Sequence, residues 1–188
     1  MGETILRPGV LLLVGPAQEP ATLGFVRTSD RSLYTAGHAC KVGQQVACAE
    51  TPDVVVATVS AVLDEARNDL ARLTPQADVR VDDFPLWRPM TPVLVDEASL
   101  AEYLGNEATA ITGRSGRVAG TLCRELASDG TIVMDTDSFP TGGDSGSPVY
   151  VEEEYDLWLI GTLCSVVLSP QGNRIYLRHP ADAMRKLG

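Results

Sequence analysis

Two short stretches of this chain carry residues able to do nucleophilic chemistry. The first is Thr141-Gly-Gly-Asp-Ser-Gly-Ser-Pro148, with Ser145 between glycines. Glycine has no Cβ, so the backbone can bend sharply there and turn its N–H groups outward. The N–H groups of Gly143 and Ser145 can then converge on one substrate oxygen as an oxyanion hole, with Ser145 as the nucleophile. A serine hydroxyl needs a base to take its proton. The chain has only two histidines, His38 and His179, so the choice of base is narrow. His38 ends the second stretch of interest, Leu33-Tyr-Thr-Ala-Gly-His-Ala-Cys40. That stretch reads as a strand running into a small-residue turn that presents an imidazole. His179, just before the last segment, reads as a surface or packing residue.

These two motifs, G-D-S-G-S-P and T-A-G-H-A-C, resemble the serine and histidine motifs of the trypsin-like, chymotrypsin-fold serine endopeptidases. Their chain order is similar too, and the resemblance spans nearly the whole chain from about Gly24. It implies an all-β fold of two packed six-stranded antiparallel β-barrels with a short C-terminal helix. Residues 1–90 would form the N-terminal barrel with the histidine and aspartate; residues 91–188 would form the C-terminal barrel with the serine. The activity implied is hydrolysis of peptide bonds through a Ser-His-Asp triad, on protein or peptide substrates, without metal or organic cofactor. The alternative kept open is a protease-like module that binds protein without cutting it.

An imidazole acting as base needs a carboxylate on its far nitrogen to fix the tautomer. In the family that aspartate directly precedes a short apolar strand. Asn68-Asp-Leu-Ala-Arg-Leu73 has this pattern, so the resemblance assigns Asp69; Asp64 competes but lacks the following strand. Gly113-Arg-Ser-Gly-Arg117 resembles a segment of the small bacterial members, of the α-lytic, streptogrisin and glutamyl endopeptidase type. Those members steady the aspartate beside the serine with an internal arginine. Carried over, this predicts an Arg114–Asp144 ion pair and an enzyme active without N-terminal cleavage.

The family's specificity pocket would here be lined by Phe139 before the serine, by Cys164, Ser165 and Val166 after it, and by Arg174 on the last strand. Cys164-Ser165-Val166 departs from the family's S-W-G. That departure puts in doubt the usual hydrogen bond to the triad aspartate, unless Ser165 supplies it through a shifted register, and it narrows the pocket mouth. Arg174 has two readings. It reaches into the pocket and pairs with an acidic substrate side chain, or it faces solvent and leaves the pocket to small or apolar side chains. Phe139 near the pocket-floor position argues against basic specificity.

Composition bounds the rest. The chain has 188 residues and a formal net charge of −10, which argues against a nucleic-acid partner. No apolar run approaches membrane-spanning length. Cys40, Cys48, Cys123 and Cys164 show no C-x-x-C zinc spacing. They form two bridges, Cys40–Cys48 and Cys123–Cys164, or remain four thiols. No signal peptide is visible: a cytoplasmic location is favoured if Met1 is the native start, a secreted one if a leader was trimmed. The oligomeric state is left open.

The elements that must position these groups follow from pattern. Strands are predicted at 9–14, 22–28, 32–36, 45–49, 53–61, 118–124, 131–134, 149–152, 156–163 and 174–177. A capped helical turn is predicted at Ser99–Gly105 from Ser99 with Glu102. A final helix is predicted after Pro180.

Overall fold

The computed structural model describes residues 4–65, 67–85, 87–170 and 172–188. The first half holds strands β1 (Ile5–Leu6), β2 (Leu11–Val14), β3 (Glu19–Thr22), β4 (Phe25–Arg27), β5 (Ser32–Thr35), β6 (Gln45–Cys48), β7 (Thr51–Glu65), β8 (Asn68–Pro75) and β9 (Arg80–Val81). Seven of them form one antiparallel sheet in the order β3-β2-β6-β7-β8-β5-β4, curved into a half-barrel. The short β1 and β9 pair in parallel beside it. Alternation sets the inner face, since successive strand residues point to opposite sides: Leu12 and Val14 of β2 are buried while Leu11 and Leu13 are less so. Leu33, Val46, Val56, Val59 and Leu73 complete that core.

The second half holds β10 (Val93–Leu94), α1 (Leu100–Tyr103), β11 (Glu107–Thr112), β12 (Gly116–Leu122), β13 (Ile132–Thr136), β14 (Pro148–Glu152), β15 (Leu157–Val167), β16 (Asn173–Arg178) and α2 (Ala181–Leu187). Its sheet runs β10-β15-β14-β11-β12-β13-β16, and a further β15–β16 ladder closes six of these strands into a barrel. Val118, Leu122, Ile132, Met134, Val149, Ile160, Ile175 and Leu177 fill it. A third cluster joins the halves: Phe25, Tyr34 and Leu70 meet Ile111, Tyr150, Leu157, Leu159 and Ala183 of α2. The phenyl ring of Phe25 stacks on Tyr34 with centroids 4.7 Å apart. The all-β architecture of two packed β units with a closing helix is therefore the one expected, with the first unit a seven-stranded half-barrel and the second a closed six-stranded barrel.

Two local expectations change. The single strand predicted at 22–28 is two, β3 and β4, at opposite ends of the first sheet. The break falls at Leu23-Gly24, where a Cβ on Gly24 would lie 2.6 Å from the carbonyl oxygen of Gly146. The chain bends there because it crosses the serine loop. The capping box at α1 does not form: Ser99 Oγ donates to Asp96 Oδ2 at 3.0 Å instead of capping the helix. Among the described residues no helix is long and apolar enough to cross a membrane. None of the four cysteines is bridged, so of the two readings the four thiols are the one found.

Candidate active site

β5 delivers the histidine. It ends at Thr35, and Ala36-Gly37 carries the chain to His38. Gly37 is packed so closely that a Cβ would lie 2.0 Å from the carbonyl oxygen of Leu63, on β7, and 2.8 Å from the nitrogen of Leu70 on β8. The histidine turn thus sits directly on the β7–β8 hairpin. Asp69 is the second residue of β8 and only 9% exposed. Its Oδ1 accepts the His38 backbone N–H at 2.8 Å, and its Oδ2 lies 2.8 Å from His38 Nδ1. A carboxylate can only accept, so Nδ1 carries the proton and Nε2 is left as an acceptor. Ser145 Oγ lies 3.1 Å from that Nε2. Asp64 is Asp69's cross-strand neighbour, but it is exposed and does not reach the ring. The Asp69 hydrogen bond, joined by the charges of Asp69 and Asp64, holds the His38 pKa above the usual histidine value despite partial burial.

The serine loop is held from several sides. Ser145 sits between Gly143 (φ +101°) and Gly146 (φ +89°), both in left-handed conformations that favour glycine. A Cβ on Gly146 would come within 2.5 Å of both the Thr22 carbonyl oxygen and Thr35 Oγ1. The Ser145 carbonyl accepts from the Thr22 N–H at 2.8 Å, and the Gly146 N–H donates to Leu163 at 2.8 Å. Ser147 Oγ donates to the Asp144 carbonyl at 2.5 Å. The N–H groups of Gly143 and Ser145 have no protein acceptor among the described residues.

Asp144 is fully buried, and here the predicted ion pair is corrected. Its partners are the backbone N–H groups of Arg114 (3.0 Å), Ser115 (3.3 Å) and Thr141 (2.8 Å), and Ser115 Oγ (2.5 Å). Arg114 contributes its main chain; its guanidinium is in none of the ion pairs of the described residues. The reason is the tight Gly113-Arg114-Ser115 turn between β11 and β12, which aims successive N–H groups at the carboxylate. Such a concave run of amides binds an anion well, and four donors satisfy a buried carboxylate that would otherwise be costly. The Arg114 side chain instead passes beside Gly143, its Cδ 3.1 Å from where a Cβ on that glycine would stand.

The predicted pocket residues are not gathered as expected. Phe139 is 68% exposed and forms no pocket floor. The β15–β16 ladder shifts register between Leu163 and Ser165, leaving Cys164 as the extra residue of a bulge. That shift sets Val166 opposite Ile175, where it packs half-buried against the barrel core. Cys164 Sγ donates to the Tyr176 carbonyl at 3.0 Å. Neither Cys164 nor Ser165 hydrogen-bonds Asp69. Arg174 Nε donates to Asp135 Oδ1 at 3.0 Å, in an ion pair more than half exposed on both sides. It lines an open cleft with Ser138, Asn173 and Tyr176, but its charge is already paired.

His179 is a packing residue. Its Nε2–H donates to the Val95 carbonyl at 2.7 Å, its Nδ1 accepts from the Ala181 N–H, and burial pushes its pKa down. Among the described residues no cluster of three or more metal-ligating side chains occurs. Residue types alone did not single out Thr22, Ser115 or Thr141. Their only signal is adjacency to turns that fold onto the serine loop.

This architecture is the chymotrypsin fold of bacterial serine proteases. A glutamic-acid-specific serine protease that uses a histidine triad in substrate binding superposes with a TM-score of 0.72 at 14% identity, over 96% of this chain and 97% of that one. A Nocardiopsis protease gives 0.69 at 15% identity, over 98% and 97%. Protease A of Thermobifida fusca gives 0.66 at 17% identity, over 97% and 95%. No protein-family model and no curated protein matches the sequence itself.

Proposed function

We propose that this chain is a serine endopeptidase that cleaves protein or peptide substrates through an acyl-enzyme intermediate. The observation that carries the proposal is the single hydrogen-bonded line Asp69–His38–Ser145, at 2.8 and 3.1 Å. Ser145 Oγ attacks the scissile carbonyl while His38 Nε2 takes its proton and then delivers it to the leaving amine. Asp69 holds the proton-bearing Nδ1 and stabilises the imidazolium. The Gly143 and Ser145 N–H groups receive the oxyanion. Water then attacks the ester, with His38 again as base. Residues 1–90 and 91–188 act as two units that meet along this line.

Asp144 has its full set of donors inside the fold, which favours activity without a freshly cut ammonium to steady it. Substrate preference follows from what is already occupied. Arg174 is paired with Asp135, and His179 is engaged with Val95, so neither is ready for an acidic side chain. With His38 in the catalytic line, the chain has no set of three histidines to bind glutamate as the structural neighbour does. Small or apolar side chains fit this best. That neither Cys164 nor Ser165 hydrogen-bonds Asp69 is the one feature that favours a binding module without catalysis. Cleavage of a peptide library, wild type against Ser145→Ala, tests the reading. Hydrolysis lost in the variant, with no acidic preference in the wild type, is expected; an inert wild type would refute it.

A further inference from the structure

The oxyanion loop contains Gly142-Gly143, two residues with broad conformational freedom. Gly142 is exposed, and a Cβ on it would meet nothing within 4 Å. Thr141 and Asp144 are tied to each other on either side. Among the described residues, the one hydrogen bond that holds the glycine pair to the rest of the protein comes from Thr22. Thr22 Oγ1 donates to the Gly143 carbonyl at 2.8 Å and accepts the Gly113 N–H at 2.9 Å. Thr22 is fully buried at the end of β3. Its N–H donates to the Ser145 carbonyl at 2.8 Å, and its carbonyl accepts Thr35 Oγ1 at 2.6 Å, three residues before His38.

We infer that Thr22 is a positioning residue for the oxyanion hole, acting through Gly143. The inference rests on the protease reading above. By gripping the Gly143 carbonyl, the hydroxyl anchors the 143–144 peptide. The Gly143 N–H belongs to the preceding peptide, which is then left only rotation about the Gly143 Cα, so fewer orientations turn it away from the point the Ser145 N–H faces. Only a group that donates and accepts at once can bridge Gly143 and Gly113; serine and threonine can, valine cannot. The other bonds of Thr22 tie this hydroxyl to the nucleophile and, through Thr35, to the histidine strand. One side chain thereby sets the oxyanion donors in register with both reacting groups.

The test compares Thr22→Val, Thr22→Ser and Thr22→Cys on a peptide substrate found by library cleavage, with a peptide boronate as tetrahedral mimic. Losing a whole oxyanion donor costs 100- to 1,000-fold, so misaligning one should lower kcat about 10- to 100-fold in Thr22→Val, with KM changed less than about twofold. Boronate affinity should weaken in parallel, and Thr22→Ser should recover most of both. If Thr22→Val does not fold, Thr22→Cys, close to serine in size but a poor donor, should fall about tenfold below Thr22→Ser in kcat. An active wild type with kcat unchanged in Thr22→Val, or unchanged between the cysteine and serine variants, overturns the role of Thr22 alone. A wild type that neither cleaves peptides nor reacts with a fluorophosphonate overturns the protease reading and this inference with it.

Discussion

The serine loop and the predicted pocket wall belong to the same closed barrel and meet where the Gly146 N–H bonds the Leu163 carbonyl, yet they are built in different ways. Beyond the bonds within the loop itself, the anchors of the serine loop are backbone or short-side-chain hydrogen bonds to β3, the β11–β12 turn and β15. The predicted wall from Cys164 to Val166 is part of one strand with a bulge, and its side chains are dealt inward or outward by register alone. A hydrogen-bonded loop tolerates the exchange of an arginine side chain for backbone amides, because the carboxylate still finds donors. A strand wall does not tolerate one extra residue, because every later side chain changes face. The contrast predicts severe effects for changes in the first region and mild ones in the second.

Asp69→Asn should give the largest effect. The amide can donate where the carboxylate only accepted, so His38 loses the tautomer that leaves Nε2 free, and kcat should fall about 10⁴-fold with the fold intact. Steady-state kinetics beside a thermal melt checks this. Asp144→Ala comes next. It leaves the Arg114, Ser115 and Thr141 N–H groups without their acceptor, each at roughly 1–3 kcal/mol when buried. A lower melting temperature and at least about tenfold weaker kcat/KM are expected.

A pH profile sharpens the comparison at smaller amplitude. The base works only when His38 is neutral, and Asp69 raises its pKa, so the acid limb of kcat/KM should lie above the ordinary histidine value of 6.5. The same shift means that the His38–Asp69 pair adds stability below that value and loses it as pH rises through the folded-state pKa. Asp144→Ala should leave this limb in place. The smallest effects belong to the two arginines. Arg174→Ala removes an exposed pair worth at most about 1 kcal/mol and should change kcat/KM less than about threefold. Arg114→Ala keeps the main-chain donors of Asp144 and should do the same; a large loss there would restore the ion pair that the geometry lacks.

Much of the first region was readable in the residues. Glycines flanking Ser145, the turn before His38 and the short strand after Asp69 are local features, and local backbone chemistry shows in sequence. Donors to Asp144 were harder to read, because amides exist at every residue and only the fold aims them. The pocket wall was least readable. Nothing in Gly161-Thr-Leu-Cys-Ser-Val166 announces the bulge at Cys164, which arises from pairing with β16. The split of 22–28 into β3 and β4 was hidden for a similar reason: Gly24 bends where another chain segment crosses.

The central claim is that His38 and Asp69 make Ser145 a nucleophile. Fluorophosphonate labelling followed by peptide mapping tests it most directly. A single adduct on Ser145 is expected in the wild type, with labelling slowed at least about 10³-fold in His38→Ala and none in Ser145→Ala. Wild-type protein that stays unlabelled, or labels at the same rate without His38, would contradict it.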